Sequence, residues 1–332
     1  MNPLRVLIVG CGNIAGRFDE GRPPGEPPVT HAGAYTRDGK FVIAACVDPD
    51  RERRGAYAQA WKVPLTYASL DEVRSAKGQF DVISICSPTR RHAEDVELAL
   101  RLGPKLVFCE KPVTSSAAST RDMIEKCTTA RIPLAVNYTR RWDPEIAALQ
   151  ARMRTGELGT LRAIAGVYNK GLLNNGSHMV DLLHMLVGPM KVVGTGKPVA
   201  DFSEEDPTIP VWLEGPNELP IHLMGGHAAD FAFFEAQLIF EHGVVTMEDG
   251  GAIWRERRAQ TSALFKGYRT LSAGEHRPGG YAQAMLAAAR NIHGTVSRGD
   301  PLASTGESAL AAQRLCEAVK QTVTSHRIAT RP

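Results

Sequence analysis

Two segments of this chain carry side chains suited to acid–base and hydrogen-bonding chemistry at a hydroxyl. The first is Cys109-Glu110-Lys111-Pro112, directly after the apolar run Leu106–Cys109. Ligands of open parallel sheets bind beyond the carboxyl ends of the strands. A partly desolvated ammonium on Lys111 there is a hydrogen-bond donor to a reacting oxygen. A surface loop lysine is the plainer reading, and the position immediately after a buried run argues against it. The second segment is Asn174-Asn175-Gly176-Ser177-His178-Met179-Val180-Asp181. Asn175 or Ser177 is placed to cap a helix over 177–187, which puts His178 in its first turn. Asp181 lies three residues on and Asn174 four back, so both flank the imidazole on one face. A histidine on an apolar helix is more often structural. One in the first turn, bracketed by groups that can fix its tautomer, is a better general-base candidate.

A third segment binds rather than reacts. Leu4-Arg5-Val6-Leu7-Ile8-Val9 runs straight into Gly10-Cys11-Gly12-Asn13-Ile14-Ala15-Gly16, and Asp48 ends a second apolar run, 41–47. Strand, glycine turn, helix and acid in that order make a dinucleotide-binding βαβ unit. Gly10 permits the tight turn. Gly12 admits a pyrophosphate where any Cβ would collide, and Ala15 keeps the helix close to its strand. The helix N-terminus offers N–H groups to the phosphates, and Asp48 accepts from the adenosine ribose. That carboxylate favours NAD over NADP, because it repels a 2′-phosphate. Arg51, Arg53 and Arg54 are expected to point to solvent rather than to fold over the adenosine. Ser87-Pro88-Thr89 supplies hydroxyls for ribose or phosphate, or merely a turn and a helix cap.

The elements that hold these segments alternate. Apolar runs at 6–9, 42–47, 82–86, 106–109 and 134–136 predict buried parallel strands, with helices over 51–61, 70–75, 92–102 and 115–127 between them. This is doubly wound α/β logic. Gly21-Arg22-Pro23-Pro24-Gly25-Glu26-Pro27-Pro28 interrupts the first helix. That helix is either very short or resumes near His31, and the insertion is a loop beside the cofactor or a plain solvent loop. After Asn137 the pattern changes to a helix over 144–155, a strand over 161–167 and a helix over 177–187. Strands near 221–226, 231–240 and 244–247 and helices over 281–292 and 306–325 complete the prediction. Gly243 suits a hairpin turn, and 188–198 and Pro216 read as connecting loops.

Bulk composition agrees with a globular chain. Of 332 residues, 43% are hydrophobic and 23% charged, with a net charge of +3. That length holds two cores. Short basic clusters such as Arg255-Glu256-Arg257-Arg258 suit solvated faces rather than nucleic acid. No apolar run reaches about 18 residues, so no membrane span is expected. The cysteines, Cys11, Cys46, Cys86, Cys109, Cys127 and Cys316, show no Cys-x-x-Cys pair. They read as buried hydrophobes of a reducing, cytoplasmic protein, with no metal site.

With Glu110-Lys111-Pro112, the run Arg140-Arg141-Trp142-Asp143-Pro144, Gly176-Ser177-His178-x-x-Asp181 and Pro301…Gly306-Glu307 placed, the chain resembles the Gfo/Idh/MocA oxidoreductase family over almost its whole length. The resemblance implies an N-terminal Rossmann domain over 1–137 with a doubly wound parallel sheet. It implies a second, α+β domain over 138–332, with an open-faced, mostly antiparallel sheet that binds substrate and assembles a homodimer or homotetramer. It also implies NAD(P)-linked chemistry at a hydroxyl or keto carbon of a sugar, cyclitol or nucleotide sugar. The family's lysine falls on Lys111, with a cis bond to Pro112, and its histidine on His178. Many members carry aspartate four residues before that histidine. Here Asn174 stands there, and Asp181 or a substrate carboxylate is expected to share the role.

The expected catalytic set is therefore Lys111, His178, Asn174 and Asp181. The cofactor set is Gly10, Gly12, Asn13, Ile14, Ala15, Asp48, Ser87, Pro88, Thr89, His92, Glu110 and Lys111, for NAD before NADP. The substrate set is Lys111, Arg141, Asn174, Asn175 and His178. The competing expectation is an NAD-binding sensor on the same fold, which Asn174 favours and Lys111 with His178 opposes.

Overall fold

The computed structural model describes residues 2–23, 25–76 and 79–329. They form two compact units. One extends to Asp143 and takes in Ala282–Leu310; the other comprises Pro144–Tyr281 and the chain from Ala311. The boundary differs from a single cut after 137. The turn Thr139–Trp142 stays with the first unit because buried Trp142 donates from Nε1 to Asn291 Oδ1 at 2.9 Å. Asn291 lies on the helix Ala284–Arg298, which packs against the helix His31–Asp38.

The first unit is built on strands β1 (Leu4–Val9), β2 (Phe41–Val47), β3 (Leu65–Tyr67), β4 (Val82–Ile85), β5 (Leu106–Cys109) and β6 (Leu134–Val136). All pairs are parallel, in the order β3-β2-β1-β4-β5-β6. Helices α1 (His31–Asp38), α2 (Arg51–Trp61), α3 (Thr89–Leu102) and α4 (Ala117–Ala130) connect them. β4, β5 and β6 are buried at every position, as continuous apolar runs require in a sheet covered on both faces. β3 exposes most of its residues, so no apolar run announced it.

The proline-rich insertion splits the first helix, and the helix does resume at His31. A 3-10 turn at Arg17–Asp19 leaves the glycine segment. Asp19 then staples the far end of the loop, accepting from Val29 N at 3.0 Å, Thr30 N at 2.9 Å and Thr30 Oγ1 at 2.6 Å. α1 is stitched back to the turn through His31 N to Ile14 O (3.1 Å) and Ala32 N to Ala15 O (2.9 Å). Pro24 of the insertion lies outside the described residues.

The second unit begins with α5 (Pro144–Arg154) and β7 (Leu161–Tyr168). A π-helical turn, Gly171–Gly176, then runs directly into α6 (Ser177–Val187). Strands β8 (Lys191–Thr195), β9 (Val211–Gly215), β10 (Leu219–Gly225), β11 (Phe234–Phe240), β12 (Gly243–Glu248), β13 (Ile253–Thr261), β14 (Arg269–Leu271) and β15 (Glu275–Pro278) follow. The sheet order is β14-β13-β12-β11-β7-β10-β9-β8, with β15 on β13. Its pairs are antiparallel except β7 with β10. Alternating burial along β9, β10 and β11 gives one core face and one open face. Residues 188–198 are not merely a loop, since β8 lies within them. Its exposed Lys191 and Val193 hide the strand from an apolar-run search. The last helices are α7 (Ala284–Arg298) and α8 (Gly306–Ala329). No described helix is long and apolar enough to cross a membrane.

Candidate active site

In the first unit the glycine segment borders a cavity of about 640 Å³ at the carboxyl ends of β1, β2 and β4. Of the expected cofactor set, Gly10, Gly12, Asp48, Ser87 and Pro88 line it; Val9, Pro49, Ser69, Leu70, Arg53, Arg90 and Arg91 also contribute. Gly10 has φ +88°, and a Cβ there would lie 2.6 Å from Ser87 N. The glycine thus serves both the turn and the close approach of β4's end. A Cβ on Gly12 would meet no protein atom within 4 Å. The space above Gly12 belongs to the cavity, which is the cradle a pyrophosphate needs.

Asp48 is buried and its carboxylate is fully engaged. Oδ2 accepts from Cys11 N at 2.9 Å and Oδ1 from Asp50 N at 2.9 Å. Of the neighbouring arginines expected to point to solvent, Arg53 is exposed but bonds to Asp48, and Arg54 is half-buried and does so too. Arg53 Nε lies 3.1 Å from Asp48 Oδ2, and its guanidinium also reaches Asp50. Arg54 donates to the Asp48 carbonyl. Asp50, as α2's N-cap, accepts from Arg53 N and thereby turns that residue toward Asp48. Arg51 stays exposed.

Several residues of the expected cofactor set hold the unit together. Ile14 and Ala15 lend their carbonyls to α1, and Ala15 is fully buried. The first donors of α1 are used by those carbonyls, so α1 does not present a free N-terminus to phosphate. Asn13 is exposed beside Gly12. Ser87 gives its hydroxyl to Asp95 Oδ2 at 2.5 Å, and α3 has Pro88 at its N-cap, with no side-chain cap from Ser87 or Thr89. Burial pushes the Asp95 carboxyl up, against the pull of that hydroxyl and of Arg91. His92 is buried, with Nδ1 2.8 Å from Pro112 O and Nε2 2.7 Å from Ser87 O. It braces two loops and turns neither nitrogen toward a ligand.

Glu110 belongs to a buried cluster that sequence reasoning did not foresee. Its Oε1 accepts from Asn137 Nδ2 at 2.6 Å and from His31 Nε2 at 2.9 Å. Burial pushes the carboxyl up, but the His31 bond and charge, the Asn137 bond and the Lys111 charge outweigh it, and the group is held below the ordinary carboxylate value. The next residue, half-buried Lys111, is joined to Pro112 by a cis peptide bond, as expected. Arg141 is half-buried on the turn Thr139–Trp142.

In the second unit, Asn174, Asn175 and His178 come together on the π-helical turn and the start of α6, all half-buried, with Asp181 buried one turn along. Neither Asn175 nor Ser177 caps α6. Gly176 already has helical dihedrals (φ −57°, ψ −34°), so the helical path begins earlier, at Gly171. Its cap comes from a distant loop: Asp206 accepts from Leu173 N at 2.8 Å and Asn174 N at 2.9 Å. Ser177 Oγ donates back to Leu173 O at 2.7 Å and Asn175 Nδ2 to Asn169 O at 2.9 Å. Gly176 lets the turn lie on β7, since a Cβ there would fall 2.6 Å from the Tyr168 ring.

Asn174 Nδ2 donates to Lys170 O at 3.1 Å. A deprotonated aspartate could not make this bond. The amide at 174 thus has a structural role in the turn.

Residues 4–138 match the family model described as the oxidoreductase family, NAD-binding Rossmann fold, Gfo/Idh/MocA. The first unit belongs to the Gfo/Idh/MocA family. The matched span ends at the carboxyl side of β6, and it includes the glycine turn, Asp48 and Lys111. D-Apiose dehydrogenase of Paraburkholderia graminis is 35% identical over 123 residues; the match covers 37% of this chain and spans about a third (32%) of that protein's length. Inositol 2-dehydrogenase of Rhizobium meliloti is 23% identical over 325 residues, covering 90% of this chain and 94% of that protein. Among solved structures, levoglucosan dehydrogenase in complex with NADH superposes with a TM-score of 0.82 at 13% identity, covering 98% of each chain. That likeness shows that both units follow one known fold.

Proposed function

We propose that the chain is an NAD-dependent dehydrogenase that oxidises a hydroxyl of a sugar, cyclitol or nucleotide sugar. The observation that carries this reading is the cavity over Gly10 and Gly12 with Asp48 in its wall, in a unit of an NAD-binding family. Named relatives act on D-apiose and inositol, which supports the substrate class. Gly10, Gly12, Asn13, Asp48, Ser87 and Pro88 hold the dinucleotide; Thr89 lies next to this group at the start of α3. When bound, NAD supplies the acceptor for the hydride that leaves the substrate carbon.

The chain's own part is the proton. His178 takes it from the substrate hydroxyl as the carbonyl forms. Lys111, in the first unit, is a hydrogen-bond donor suited to stabilising negative charge that develops on a substrate oxygen. Glu110, Asn174 and Asp181 position these two groups. Asn175 and Arg141 belong to the substrate side. The amide at 174 bonds the Lys170 carbonyl, so the feature that favoured a non-catalytic sensor also has a structural reading.

NAD is the preferred dinucleotide. The Asp48 carboxylate in the cavity wall repels a 2′-phosphate, while Arg53 offsets part of that repulsion. The test is formation of reduced nicotinamide when purified protein receives NAD or NADP with a panel of aldoses, inositols and nucleotide sugars. Reduction of NAD by at least one, faster than of NADP, is expected. Binding of NAD without turnover of any of them favours the sensor.

A further inference from the structure

The second unit carries a cation that the reaction above leaves unused. Lys170 follows β7 and precedes the π-helical turn with φ +63°. Its backbone is held on both sides: its N–H donates to Asp201 Oδ2 at 2.8 Å, and its carbonyl accepts from Asn174. Its side chain is half-buried, and no carboxylate among the described residues pairs with its ammonium. Partly desolvated cations are costly to leave unpaired.

Two loops converge on this residue. Asp201 Oδ2 also accepts from Ala228 N at 3.2 Å. The fully buried Asn169 donates to Phe231 O at 2.5 Å and accepts from Phe233 N at 3.0 Å. The loops around 201 and 226–233 are thus fastened to the turn that bears Lys170, and they expose Phe202 (55%) and Phe231 (65%). A half-buried lysine whose backbone is tied to loops that bear exposed aromatic residues suits a ring-shaped polyol with a negative charge.

We propose that Lys170, with Phe231 and Phe202, binds an anionic group on the sugar substrate, a carboxylate or a phosphate. The charge is taken by Lys170 and the apolar face of the ring lies on the aromatics. This rests on the dehydrogenase reading for the identity of the substrate, but not for the binding itself.

The test is calorimetric titration of the NAD-loaded full chain with D-glucose, D-glucuronate, glucose 1-phosphate and inorganic phosphate. Either charged sugar is expected to bind about tenfold or more tightly than glucose, as charge-assisted hydrogen bonds allow. The pair also separates carboxylate from phosphate as the preferred anion. Lys170→Met should bring the charged sugars down to the affinity of glucose, Lys170→Arg should keep most of the preference, and Phe231→Ala should weaken all three sugars and spare inorganic phosphate. Equal affinity for charged and neutral sugars, or an undiminished preference in Lys170→Met, overturns the proposal. A charge preference without reduction of NAD by any sugar supports this site and counts against the dehydrogenase reading. Turnover without a charge preference does the reverse.

Discussion

Asn174 shows how one hydrogen bond changes the meaning of a residue. As a sequence letter it is an aspartate gone missing, and restoring the acid looks harmless. In the structure its amide faces the Lys170 carbonyl, and its backbone N–H already rests on Asp206. Asn174→Asp would set a carboxylate oxygen against that carbonyl and add a second acid near Asp206. A loss of about 0.5–1.5 kcal/mol is expected from the missing hydrogen bond, read as a lower denaturation midpoint together with slower turnover. An unchanged midpoint would show that the bond does not hold the turn. Glu110 makes a matching prediction in pH. Its carboxyl is held below its ordinary value in the folded chain, against burial, by His31, Asn137 and Lys111. The stability it contributes is therefore complete above the ordinary carboxylate value and is lost as pH falls through the lowered one. Melting temperature against pH should fall in that acid window for the wild type and fall less for Glu110→Gln.

At the scale of elements, the Rossmann strands were legible because buried parallel strands are continuous apolar runs. α6 was legible to its last residue, Val187, because its apolar face repeats at helical spacing. β3 and β8 were not legible, being short and partly exposed. The glycine turn, Asp48, Lys111 and His178 could be read as local motifs. The partners that hold them could not: Asp206 caps the turn before His178 from more than thirty residues away, and His31 reaches Glu110 across the first unit. Pairings at such separations leave no periodic trace. The interrupted first helix is a case where the sequence posed the question and the structure answered it. The insertion is tolerated because Asp19 gathers the backbone N–H groups of Val29 and Thr30, and α1 then bonds to Ile14 and Ala15. Asp19→Ala should strip those donors of their acceptor at about 1–3 kcal/mol. Hydrogen exchange at Val29 and Thr30 should accelerate, while exchange in β4 and β5 keeps its order. Slow exchange at both amides in that variant would show that another group holds the loop.

At the scale of the molecule, the outer face of the second unit's sheet leaves Trp212 and Met224 about half exposed (51% and 54%) on the paired strands β9 and β10. Exposed apolar surface of this kind marks association sites, and we propose that copies of the chain assemble through it. Light scattering coupled to size exclusion should give a dimer or tetramer for the wild type and a smaller species for Trp212→Arg with Met224→Glu. A monomeric wild type would contradict this. The central claim is that His178 moves the proton while the first unit alone holds the dinucleotide. It is tested most directly by measuring turnover and NAD affinity side by side in wild type and His178→Ala. The account predicts turnover lower by roughly 10²–10⁴-fold with NAD affinity nearly unchanged; full turnover in His178→Ala would contradict it.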